Sequence, residues 1–147
     1  MKVKASKRIS NGYDAEGPIP WQVALFRYNI VFEPTASSFK CGGVIINENT
    51  ILTAAHCFTN LFKKNEIIEI EYRTSPKEYF VVMGIVERPV DVEKNEAKRY
   101  DIMTIIIHDK FDMHEPHHYD IAIMKTFSKI KFSSNVFPIC LPSPVPK

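Results

Sequence analysis

The residues best suited to chemistry in this chain gather around one histidine. His56 is followed directly by Cys57 and preceded by Thr53-Ala54-Ala55, and Cys41-Gly42-Gly43 begins fifteen residues before it. An imidazole has an ordinary pKa of about 6.5, so it can take a hydroxyl proton near physiological pH when one ring nitrogen is kept as the acceptor. The two cysteines face each other across an expected hairpin and suggest a disulfide that would fix the backbone of the histidine. Closing a loop of that size is worth roughly 3 kcal/mol in the chain-entropy model. Read alone, the pair also fits free core thiols or metal ligands, although two cysteines without a second pair make a poor zinc set. Taken without its neighbours, His56 is better explained as a structural histidine.

A second concentration of polar groups runs from His108 to Asp120. It holds His108, Asp109, Asp112, His114, Glu115, His117, His118 and Asp120, all of them types that ligate metals. There is no HExxH spacing, and Pro116 argues against the helix that such a site would need. No metal is assigned to it.

The elements that must position these groups are strands. Apolar residues recur mostly with a period of two. Trp21 to Leu25 alternates, and Gly43 to Ile46 and Thr50 to Thr53 flank Asn47-Glu48-Asn49, which reads as a hairpin. Ile68 to Tyr72, Tyr79 to Val82, Ile102 to Ile107 and Ile121 to Met124 are further β-rich runs. No segment of a dozen residues carries a helical stripe, and ten prolines with short strands indicate an all-β sandwich or barrel. Two stretches read as surface insertions: Phe58 to Glu66, and the charged run from Arg88 to Arg99, interrupted by Pro89. The tail from Leu141 has three alternating prolines and favours an extended linker.

Composition narrows the function classes. Of the 147 residues 45% are apolar, enough to build a core and to exclude disorder as the state of the bulk. Nineteen basic residues against seventeen acidic ones, interspersed, give a net charge of +2 and no nucleic-acid footprint. The longest apolar runs, such as Ile105-Ile106-Ile107, are far below the ~18 residues of a membrane span. Nucleic-acid and membrane partners are therefore not expected. Met1 to Arg8 is basic without an apolar core behind it, unlike a secretory signal.

The motifs Cys41-Gly42-Gly43 and Thr53-Ala54-Ala55-His56-Cys57 resemble those around the catalytic histidine of trypsin-like (chymotrypsin-fold) serine endopeptidases. Four other stretches are similar in family order. Arg8-Ile9-Ser10-Asn11-Gly12 resembles the activation junction, and Pro20-Trp21-Gln22-Val23 the first barrel strand. Tyr119-Asp120-Ile121-Ala122-Ile123-Met124-Lys125 is similar to the segment with the triad aspartate. Val136-Phe137-Pro138-Ile139-Cys140-Leu141-Pro142 is similar to the strand end before the crossing to a second barrel. The resemblance covers about residues 8 to 142 and implies a six-stranded antiparallel Greek-key barrel, the N-terminal one of two. It implies His56 as general base, Asp120 as the carboxylate that orients it, and Cys41–Cys57 as the adjoining disulfide. It also implies activation cleavage between Arg8 and Ile9, protein or peptide substrates, and neither metal nor cofactor.

Relatives of this kind carry their nucleophile in a Gly-Asp-Ser-Gly-Gly setting. After Asp120 the serines here are Ser128, Ser133, Ser134 and Ser143, and none has a glycine neighbour. The expectation is a fragment, inactive by itself. Residues 1–8 would be a propeptide remnant or tail, 9–140 the incomplete peptidase domain and 141–147 the link between barrels. Cys140 is then the odd sulfur, unpaired within the chain, with its partner expected in a propeptide or in the C-terminal barrel. A zymogen secreted into an oxidising compartment is the matching biology. The competing reading is a non-catalytic homologue whose single barrel binds a protein partner.

Overall fold

The structure is a computed structural model that describes residues 17, 19–28, 39–64, 67–72, 75–84, 98–115 and 118–143. The β-branched and aromatic runs become strands β1 (Gln22–Arg27), β2 (Phe39–Asn47), β3 (Thr50–Thr53), β4 (Thr59–Lys64), β5 (Ile67–Tyr72), β6 (Tyr79–Met83), β7 (Lys98–Ile107) and β8 (Ala122–Thr126). Two single 3-10 turns, Ala55–Phe58 and Pro76–Glu78, lead into β4 and β6. Among the described residues there is no α-helix.

Six strands close into an antiparallel barrel in the order β1-β2-β3-β8-β7-β6, with β6 returning to β1. Strands β1 to β3 form a meander, and the next barrel strand, β6, lies beside β1 and not beside β3. That arrangement is a Greek key. The expected barrel is therefore present, with all edges paired.

Two expectations need correction. Of the stretch 58–66, read as a surface insertion, residues 58–64 are described and structured: Phe58 is fully buried, edge-on to Tyr79 at 5.2 Å, and Thr59–Lys64 is β4. β4 pairs with β5 in its own two-stranded sheet, so the Ile68 to Tyr72 run belongs to this hairpin and not to the barrel. Adjacent lysines did not break the strand because the ladder is backbone to backbone, and β5 supplies its partner groups. Likewise Lys98 and Arg99, counted with the charged loop, open β7; residues 88–97 lie outside the described set. Arg99 is held there because its guanidinium covers the ring of Phe80 at 4.1 Å and that of Tyr28 at 4.9 Å, a cation–π contact on apolar surface.

β6 is buried at every position, because apolar clusters cover both of its faces. Val81 and Met83 point inward to the main core with Val23, Leu25, Ile45, Ile51 and Met124. Phe80 and Val82 point outward, yet Ala24, Phe26 and Phe39 pack on them as a second cluster. Phe26 and Phe80 stack at 5.3 Å. Gly43 permits the close approach of β3 to β2, since a Cβ there would stand 3.0 Å from the Leu52 carbonyl oxygen.

Register irregularities set which side chains enter the core. Between β7 and β8 the pairing skips from Ile102↔Thr126 to Thr104↔Lys125, a bulge at Met103. Ile102 thus points inward together with Ile105 and Ile107, while Met103 and Ile106 are each 49% exposed. Ile102→Ala is expected to destabilise the chain by about 2–5 kcal/mol, the usual range for a buried isoleucine, and Met103→Ala by well under about 1 kcal/mol. Urea denaturation of the two variants checks it; equal losses would contradict the bulge.

Candidate active site

His56 sits in the 3-10 turn that follows β3. Ala54 follows the strand in an extended conformation (φ −90°, ψ 145°), and the Cys57 N–H closes the turn onto the Ala54 carbonyl at 3.4 Å. Ala55 is fully buried, which only a small residue allows where the chain turns back over the barrel end. Three ties hold the turn. The Cys41–Cys57 disulfide, with a Cα–Cα distance of 6.0 Å, clamps it to β2. Thr53 Oγ1 donates to the Gly42 carbonyl at 2.7 Å, and Thr59 Oγ1 donates to the His56 carbonyl at 2.8 Å. While the disulfide is formed, these two cysteines are neither free thiols nor metal ligands.

Asp120 reaches the histidine from the start of β8, where Thr53 of β3 pairs with Ala122. Its Oδ1 accepts the backbone N–H of His56 at 2.8 Å, and its Oδ2 lies 2.7 Å from Nδ1 of the ring. Burial pushes the Asp120 carboxyl up, but hydrogen bonds from the His56 ring and backbone, attraction to the imidazole and the Ala55 amide outweigh it. The carboxyl is held below its ordinary value. An ionised carboxylate only accepts, so in the neutral ring Nδ1 is the donor and Nε2 keeps a free lone pair. The His56 side chain is 53% exposed, which leaves Nε2 open to an incoming group.

One feature beside the pair carries no sequence signal. Tyr119 adopts φ 57°, in the left-handed region that a bulky residue rarely enters. The Ile121 N–H bonds the Tyr119 carbonyl at 2.7 Å, and the Tyr119 ring stacks on His108 at 4.8 Å. This tight turn aims Asp120 back at His56. Met113, whose Sδ lies 3.4 Å from Thr59 Oγ1, ties the same loop to the histidine turn.

The other described candidate positions do not join the site. The polar stretch from His108 is occupied locally: His108 Nδ1 accepts the Lys110 N–H at 3.1 Å, and Asp112 Oδ1 accepts the His114 N–H at 2.9 Å. Among the described residues it gathers no cluster of three ligand atoms; His117 is outside them. Cys140 is exposed and unbonded, just after Ile139, whose N–H bonds the Ile45 carbonyl of β2 at 2.9 Å. Arg8 and Ile9 lie outside the described residues.

A family profile named Trypsin matches residues 9–147. This chain belongs to the trypsin family. It is 38% identical over 141 residues to serine protease grass of Drosophila melanogaster, covering 93% of this chain and 34% of that protein. Coagulation factor XI of Bos taurus is 36% identical over 141 residues, 95% of this chain and 19% of its own length. A venom serine protease of Polistes dominula is 37% identical over 102 residues, 69% of this chain and 32% of that protein. This trypsin-family chain thus spans about a third or less of the length of these relatives.

The electrostatics of Asp120 predict an acid response. Because its folded-state pKa is lowered, the stability it contributes is fully present above the unfolded carboxylate value of about 4 and is lost as pH falls through the lower folded value. The urea midpoint of the chain should therefore fall on acidification through this window, and Asp120→Asn should lose that component of the fall. Parallel pH profiles for the two proteins would contradict it.

Proposed function

We propose that this chain is the N-terminal barrel of a serine endopeptidase in which His56 is the general base and Asp120 the carboxylate that positions it. The observation that carries the reading is the two-point contact of Asp120 with the ring and the backbone of His56, which fixes both tautomer and orientation. In the reaction, Nε2 takes the hydroxyl proton of a serine as that oxygen attacks the scissile carbonyl. The imidazolium then gives the proton to the leaving amine, with Asp120 stabilising the transient charge, and water repeats the sequence on the acyl-enzyme. The serine and the amides that stabilise the oxyanion come from a second, C-terminal barrel. Phe137 and Leu141, near the end of the described chain, are 40% and 58% exposed, and Ile19, next to the Pro20 that accepts the Phe137 N–H, is 38% exposed, which suits contact with such a barrel.

In this reading residues 9–140 form the barrel, 141–147 lead to the second barrel, and cleavage between Arg8 and Ile9 activates a zymogen. The family match begins at Ile9, the residue that would carry the new amine. Peptides or proteins are the substrates, and Cys140 pairs with a cysteine of the propeptide or of the second barrel. Secretion follows from the disulfide, which needs an oxidising compartment. It is also in keeping with relatives named for coagulation and venom.

The 147-residue chain alone is expected to leave chromogenic Arg, Phe and Ala peptides uncleaved. Placed in a polypeptide that continues into a Gly-Asp-Ser-Gly-Gly segment and cleaved after Arg8, it should support turnover. There His56→Ala should lower kcat by about 10⁶-fold and Asp120→Asn by about 10⁴-fold, the losses typical of triad members. Turnover by the short chain that disappears in His56→Ala would overturn the location of the nucleophile, and an active His56→Ala enzyme would overturn the role of the histidine.

A further inference from the structure

His56 faces the disulfide as well as Asp120. Its Nε2 lies 4.0 Å from Sγ of Cys41 and 4.0 Å from Sγ of Cys57. The three ligand atoms of Cys41, His56 and Cys57 all fall within 4.8 Å of one another. In the oxidised chain neither sulfur has a thiolate to offer, so the group holds no metal. With the bond opened, the same atoms make an S₂N set. In a tetrahedral zinc site with Zn–S of about 2.3 Å and Zn–N of about 2.0 Å, ligand atoms stand roughly 3.5–4 Å apart. The histidine already meets that spacing, and the two sulfurs need only separate.

The surroundings favour the same ligand geometry. Asp120 accepts Nδ1–H of His56 at 2.7 Å, which leaves Nε2, 4.0 Å from each sulfur, with a free lone pair. A carboxylate on the far nitrogen of a metal-binding histidine is the usual outer partner in zinc sites, where it fixes the ring and raises its basicity. Access exists as well: Cys41 is partly exposed, so a reductant can reach its sulfur, whereas Cys57 is buried.

We propose that reduction of the Cys41–Cys57 disulfide turns this corner into a zinc site, with two thiolates and Nε2 of His56 as protein ligands and a water in the fourth position. A dithiol reductant attacks the Cys41 sulfur. Its two sulfurs pair with each other, and their two electrons and two protons leave Cys41 and Cys57 as thiols. Zinc then displaces both thiol protons. Binding depends on geometry alone. Its consequence, occupation of the lone pair that would accept the serine proton, rests on the endopeptidase reading and would switch that activity off under reducing conditions.

The test uses the 147-residue chain with Cys140→Ser, so that no third thiol contributes. It is reduced with a phosphine, freed of reductant under argon and titrated with cobalt(II), then with zinc(II), while circular dichroism follows the barrel. The expected result is one cobalt per chain with thiolate-to-cobalt absorption in the reduced form and none in the oxidised form. Zinc should displace it stoichiometrically. His56→Ala should weaken binding at least tenfold, and Asp120→Asn by about 10–100-fold, as loss of such an outer partner does elsewhere. Thiolate absorption of equal affinity in His56→Ala would overturn the proposal. So would the absence of that absorption in a folded reduced chain, or a reduced chain that unfolds and does not regain the barrel signal with zinc. Peptidase activity enters none of these readouts, so the proposal can fail while the endopeptidase reading stands.

Discussion

Everything at the candidate site depends on the register between β3 and β8. Thr53 pairs with Ala122, and from that rung the two chains diverge, three residues onward to His56 and two residues back to Asp120. Residues 64 positions apart thereby meet at 2.7 Å. A one-residue slip would turn Ile51 and Met124, both fully buried, to the outside. The core therefore enforces the register, and the register places the pair. Closure of the barrel through β1 and β6 prevents the two strands from fraying apart, because neither has a free edge.

Local devices then convert strand ends into fixed side chains. The 3-10 turn would leave His56 free to swing if it were held by its own short backbone bond alone. The disulfide to β2 and the Thr53 and Thr59 hydroxyls remove that freedom. On the other side Tyr119 accepts an unfavourable backbone conformation, and stacking on His108 helps offset its cost of order 1–3 kcal/mol. A strained residue next to a carboxylate with two specific bonds is understandable as the cost of aiming that carboxylate.

Much of this arrangement is legible in the sequence, and the exceptions have physical reasons. The 47–49 turn, the alternating runs and the histidine motif mark β2, β3 and β8 because each is a local pattern of side-chain types. β4 is not marked, since Lys63-Lys64-Asn65 resembles a loop and its strand character comes from pairing with β5. The inward choice of Ile102 over Met103 is also hidden, because a bulge is decided by the partner strand and both residues are apolar. At the site, His56 and Asp120 stand out through their motifs. Tyr119, Thr59 and Met113 do not, because their contributions are a dihedral angle and contacts made only in three dimensions.

The disulfide and the carboxylate act on the same ring from different directions, and their effects are not interchangeable. The disulfide restrains the backbone and is worth roughly 3 kcal/mol as a loop closure, a sizeable part of the 5–15 kcal/mol typical of a whole domain. It is indifferent to which ring nitrogen carries the proton. Asp120 decides that question, because its ionised form can only accept and so keeps the proton on Nδ1 as the donor. Its second oxygen, on the His56 N–H, converts a rotatable contact into a two-point one, so the carboxylate cannot swing away from its place facing the ring without breaking the backbone bond as well. Stability and chemistry are thus divided between two neighbours. Opening the disulfide while keeping Asp120 would leave the ring held by the same two bonds beside two thiols, and the chemical identity of the corner would change as the two sulfurs separate.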